Sequence, residues 1–120
     1  MTAAVVSTVV LDCAEPAALA EFWGNVLDLP VVTKEDGWWQ LAPMASGLSL
    51  AFQKVERHRR PTSSVPQQLH LDVTVADIHA AEERVLGWGA EVRSDLHPGD
   101  GSPWRVYADP AGHPFCLVTA

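Results

Sequence analysis

The sequence is poor in the features that mark an export route or a polyanionic partner. It holds two cysteines, Cys13 and Cys116. That is too few for a disulfide framework, so reduced thiols are expected. No apolar run approaches the roughly 20 residues that a membrane-spanning helix needs, so no membrane partner is expected. The opening MTAAVVSTVVLD has no basic stretch, and its apolar residues alternate as in a strand. No signal peptide is expected there, and the cytoplasm is the expected compartment. Positive charge is also scarce. Eight Lys and Arg face 15 Asp and Glu, for a net charge of −7, which argues against nucleic acid as a partner. The one basic cluster, KVERHRR at 54–60, contains Glu56 and runs into Pro61; it reads as a solvated linker.

What the chain does have is a repeat. TVVLDCAEP at 8–16 and HLDVTVADI at 70–78 are alternating segments that each run into an amphipathic helix. Each copy then continues into a Trp-led strand (WWQL at 38–41, WRVY at 104–107) and a final apolar strand (LSLAFQ at 48–53, HPFCLV at 113–118). The expected architecture is α+β: two tandem β-α-β-β-β modules within one 120-residue domain. The first module covers about 1–55, the linker about 56–67 and the second module about 68–120. Leu19, Phe22, Trp23, Val26 and Leu27 recur at helical spacing and make one buried stripe. Ile78, Ala81, Val85, Leu86 and Trp88 make the other, with Asp77 as its N-cap. Asp109-Pro110-Ala111-Gly112 reads as a turn.

In each module the helix covers one sheet face, and the other must meet water or form a cavity. Parity assigns Thr8, Asp12, Gln53, His70, Asp72 and Cys116 to the open faces. Trp38 and Trp39 are neighbours on one strand, so one of them must leave the core side. A Trp on the open face, together with Trp104, offers a flat apolar wall suited to a planar or cationic ligand. Arg105 is read as a partner for a ligand carboxylate or for Asp109, and the loop from His97 to Asp100 as a lid or a plain surface turn.

These segments resemble the vicinal-oxygen-chelate superfamily of glyoxalases, extradiol dioxygenases, fosfomycin-resistance and bleomycin-binding proteins. The resemblance rests on VVLDCAEPAALAEFW, HLDVTVADI and DPAGHPFCLV, which together span most of the chain in order. It implies cup-shaped sheets and, in metal-dependent members, a divalent ion held by the first and last strands of each module. The matching positions are Thr8, Gln53, His70 and Cys116. Thr8 and Cys116 depart from the His, Glu or Gln of those members, which implies a degraded metal site. Zn²⁺, Ni²⁺ or Mn²⁺ is therefore the lesser expectation and no cofactor the greater. Asp12 and Asp72 share these inward faces but lie further along the strands than the ligand positions, by roughly 6–7 Å from His70 to Asp72, and are not expected to restore the metal set. They are read instead as ligand-positioning groups, with His70 and Asp72 as candidate general bases.

Two functions follow from the resemblance. The first is a binding protein of the bleomycin-resistance kind that sequesters a small aromatic or cationic molecule, such as an antibiotic. Its expected ligand-binding residues are Trp38, Trp39, Gln53, His70, Trp104, Arg105 and Cys116. The second is a metal-dependent lyase, of glyoxalase type, or a dioxygenase acting on an oxygenated substrate. A homodimer is expected in either case, with cups completed within a chain or by exchange of halves between chains.

Overall fold

The computed structural model describes residues 3–61 and 69–119, and the second half of the expected linker, 62–67, lies outside them. The chain divides into two compact units, Met1–His58 and Arg59–Ala120. Each has the expected β-α-β-β-β order.

The first unit comprises β1 (Thr8–Cys13), α1 (Pro16–Leu27), β2 (Val31–Glu35), β3 (Trp38–Leu41) and β4 (Ser49–Lys54). Its sheet runs β1-β4-β3-β2, with β1 parallel to β4 and the remaining pairs antiparallel. Pro16 stands in the first turn of α1, where its missing N–H has no intrahelical partner to lose. Asp28 closes the helix in the left-handed region at φ 54°, and the N–H of Leu29 returns to the carbonyl of Gly24. The α1 stripe buries Leu19, Phe22 and Trp23 on the sheet side that carries Leu41, Leu50 and Phe52. Each such side chain contributes about 1.5–3 kcal/mol on burial.

The second unit comprises β5 (Leu71–Val75), α2 (Ile78–Gly87), β6 (Glu91–Val92), β7 (Trp104–Ala108) and β8 (Pro114–Thr119), in the sheet order β5-β8-β7-β6. Asp77 caps α2 as expected, accepting from the backbone N–H groups of His79 and Ala80. The stripe is narrower than the sequence implies. Ile78 and Val85 are buried, whereas Leu86 and Trp88 are exposed. In their place a polar network ties α2 to the sheet: Arg105 and the Tyr107 hydroxyl both donate to Glu82 Oε1, at 2.9 and 2.8 Å. Burial, then the hydrogen bond to Glu82, raises the pKa of Tyr107 above its usual value. The 109–112 turn is held by the buried Asp109, whose carboxylate accepts from the N–H groups of Ala111 and His113.

Candidate functional site

Cross-strand register decides which side chains share the open face of each sheet, because paired residues point the same way. In the first unit Asp12 pairs with Gln53, and Gln53 with Trp38. The open face therefore carries Trp38, Gln53 and Asp12, with the Trp38 indole N–H donating to Gln40 Oε1 at 3.2 Å. Trp39 goes the other way. It pairs with the buried Phe52 on the side covered by α1, and Lys34 Nζ lies 5.4 Å from its ring centroid. Of the adjacent indoles, Trp38 is the one that leaves the core side.

In the second unit Asp72, Cys116 and Val106 form one cross-strand row, and Thr74, Val118 and Trp104 the next. His70 stands two residues before Asp72 on the same face. His70, Asp72, Trp104, Val106, Cys116 and Val118 line an open bowl of about 500 Å³. Its floor is the pair of valines, which sequence reasoning did not single out; parity with Cys116 was the available signal. One indole face of Trp104 is stacked by His97, at 4.0 Å between centroids and 17° between planes. Two backbone hydrogen bonds between His97 and Trp104 hold that stack, so the 97–100 loop is anchored at its first residue.

Arg105 does not reach the bowl. As the neighbour of Trp104 on β7 it points to the α2 side. There Nε donates to the Ser94 carbonyl and Nη1 to Glu82, not to Asp109. Alternation along the strand accounts for this, since Trp104 and Arg105 cannot share a face.

The register also revises the metal-ligand positions. β1 and β5 end three residues before their helices, so Val10 stands where Asp72 stands in the second unit and Thr8 where His70 stands. Val10 pairs with Ala51, and Asp72 pairs with Cys116. The first-unit counterpart of Cys116 is therefore Ala51, and Gln53 matches Val118. Thr8 and Gln53 fall in different cross-strand rows, because Thr8 pairs with Ser49.

Asp72, set aside as too distant in the strand-rise argument, lies directly across from Cys116. His70 Nε2 is 3.2 Å from Asp72 Oδ1. A nitrogen of His70, a carboxylate oxygen of Asp72 and the sulfur of Cys116 all lie within 4.8 Å of one another. Burial, and then the charge of Asp72 and its hydrogen bond with the thiol, push Cys116 up to about 11. As a metal-free group this sulfur is a thiol at neutral pH and a poor nucleophile. One imidazole, one carboxylate and one sulfur suit a borderline or soft divalent ion and fit poorly to a hard one that wants oxygen ligands throughout.

The family model for the glyoxalase-like domain matches residues 8–118, nearly the whole chain. The chain belongs to the glyoxalase-like domain family. Solved structures with this fold include a glyoxalase/bleomycin resistance protein/dioxygenase family enzyme from Burkholderia phytofirmans PsJN, 13% identical, with 97% of this chain and 98% of that chain covered and a TM-score of 0.78. A glyoxalase-related enzyme from Fulvimarina pelagi is 21% identical, with 97% and 88% covered and a TM-score of 0.74. The fosfomycin resistance protein FosX from Mesorhizobium loti is 15% identical, with 100% and 94% covered and a TM-score of 0.71. These identities carry the fold alone. No curated protein matches the chain. Among the described residues of this glyoxalase-like domain no helix is long and apolar enough to cross a membrane.

Proposed function

We propose that this glyoxalase-like domain binds a small planar molecule bearing a positive charge in the bowl of its second unit. The observation that carries the reading is the juxtaposition there of the Trp104 indole, a valine floor and the half-exposed Asp72 carboxylate. An aromatic ring gains by lying against the indole and the valines, and a cationic substituent gains by meeting Asp72. The net charge of −7 favours approach of such a ligand. Sequestration of a small toxic compound, in a cytoplasmic homodimer, is the role this chemistry suits. His70, beside Asp72, orients the carboxylate.

The test is a screen of cationic aromatic compounds by Trp fluorescence and calorimetry. Binding should fall by about tenfold or more in Trp104→Ala and Asp72→Asn, given the ~1–2 kcal/mol expected of a desolvated cation–π or charge contact. Trp39→Ala, in the sheet of the first unit and on the side that α1 covers, should leave it unchanged. Binding that survives Trp104→Ala would overturn the reading.

A second reading is favoured by one observation, the convergence of His70, Asp72 and Cys116. A divalent ion held there would supply Lewis-acid activation of an oxygenated substrate, as a metal-dependent lyase or dioxygenase requires.

A further inference from the structure

Two aspartates in the chain are followed by glycine, Asp36 and Asp100. A glycine carries no side chain to shield its backbone nitrogen, which can therefore reach the carboxyl carbon of the aspartate before it. At the other aspartates the next residue is larger, and at Asp109 it is Pro110, which has no N–H to offer. Both carboxyls are exposed, so exposure does not separate the two candidates. Their backbones do. We propose that Asp100, and not Asp36, is a site of self-modification, where the folded chain converts aspartate to isoaspartate through a cyclic imide.

Asp36 and Gly37 are the two loop residues of the β2–β3 hairpin. Glu35 pairs with Trp38 across them, and the Gly37 carbonyl accepts from the Lys54 N–H at 2.8 Å. Turning the Asp36 carboxyl onto the Gly37 nitrogen would have to loosen the pairing of β2 with β3 and the bond from β4. Asp100 and Gly101 stand instead at the tip of the loop that the His97–Trp104 pair closes. Residues 98–102 are all exposed, and among the described residues no backbone hydrogen bond ties them to the sheet. Beyond its chain neighbours, no described atom lies within 4 Å of where a Gly101 Cβ would stand, so a five-membered ring has room to form. At Gly37 the same position meets Lys54 Cβ at 3.9 Å. Loop tips of this kind open at little cost, whereas paired strands do not.

The step balances without an oxidant or a co-reactant other than water. The Asp100 carboxylate takes a proton from solvent, and the Gly101 nitrogen attacks Cγ. The carboxyl OH leaves with the amide proton as water. Water then reopens the ring. Attack at Cγ restores aspartate; attack at the main-chain carbonyl leaves the chain running through Cγ, with a free α-carboxylate. No residue that lines the bowl takes part, so the inference is independent of what the bowl binds. The experiment warms the full wild-type chain at neutral pH for weeks and maps its peptides. A protease that cuts before aspartate but not before isoaspartate, with mass spectrometry, quantifies both sites. Isoaspartate should accumulate at least about tenfold faster at Asp100 than at Asp36, because a paired turn reacts only in its opened fraction. In concentrated urea the two rates should converge. Asp100→Glu, which cannot close a five-membered ring, should leave position 100 unmodified in a chain that circular dichroism shows to be folded. No isoaspartate at Asp100, equal or faster conversion at Asp36 in the folded protein, or a rate ratio that persists in urea would overturn the proposal.

Discussion

Replacing Glu82 by Ala removes the single acceptor that holds two sheet residues to α2. The Tyr107 hydroxyl, on a fully buried residue, loses its partner at 2.8 Å. A buried polar group left unsatisfied costs about 1–3 kcal/mol. Arg105 loses its carboxylate at 2.9 Å, keeping only the Ser94 carbonyl. The side chains of that pair are 27% and 24% exposed, so its loss falls between the surface value and the buried one, about 1–2 kcal/mol. Together the change should cost about 3 kcal/mol and lower the midpoint of thermal unfolding by about 10–15 °C. Circular dichroism melts and urea titrations of wild type, Glu82→Ala, Tyr107→Phe and the double variant measure it. Tyr107→Phe alone should cost about 1 kcal/mol. Glu82→Ala should cost less when combined with Tyr107→Phe, because no hydroxyl is then stranded. A midpoint shift under about 3 °C for Glu82→Ala, or full additivity in the cycle, would refute the reasoning. Arg105→Ala should likewise lower stability while leaving binding in the bowl unchanged.

Other outcomes follow from local chemistry. Alkylation of Cys116 in the metal-free protein should be slow at pH 8 and accelerate about tenfold per pH unit toward 11, since the reactive thiolate appears only as pH approaches the raised pKa; mass-spectrometric labelling against pH reads this. The same shift has a consequence for stability. The folded state holds this proton more tightly than an unfolded thiol of pKa near 9, so stability is unaffected below pH 9 and falls between 9 and 11, which urea midpoints against pH would reveal. Asp77→Ala removes the acceptor for two N–H groups at the start of α2 and should cost about 1 kcal/mol in denaturant unfolding. Gly112→Ala forces a side chain into φ +93°, where its Cβ would meet Pro61 Cδ at 3.0 Å and Arg60 Cβ at 3.1 Å; a loss on the order of 1–3 kcal/mol is expected in the same assay.

Much of the architecture was legible because it is written in short periods. Alternation marks Thr8–Cys13 and Leu71–Val75 as half-covered strands, the 3.6-residue stripe marks α1, and the near-repeat marks the two units. Parity even limits the indoles, since Trp38 and Trp39 must part. It does not say which of them faces α1, because that depends on pairing with Phe52 across a loop. The site was less legible for the same reason. Distance along a strand suggested that Asp72 was remote, whereas its partner Cys116 lies beside it on another strand, reached only through register. Gln53 was placed on the correct face and in the wrong row, because the connection back to the last strand differs in length between the units. Arg105 stands next to Trp104, and that adjacency alone puts it on the opposite face. Leu86 and Trp88 misled because an apolar residue at helical spacing need not be covered when a Glu82–Arg105–Tyr107 network does the anchoring.

The duplicated scaffold makes the polar cluster portable. Its three members sit at register positions that exist twice in the chain, so Thr8→His, Val10→Asp and Ala51→Cys would write the same constellation onto the first sheet. Thr8 and Val10 are both partly open to solvent and can accept larger polar groups, while Ala51 is fully buried, so the added sulfur is the demanding step. A variant carrying all three would hold the same cluster twice, and comparing the two copies would separate what the strand register contributes from what the surrounding loops add.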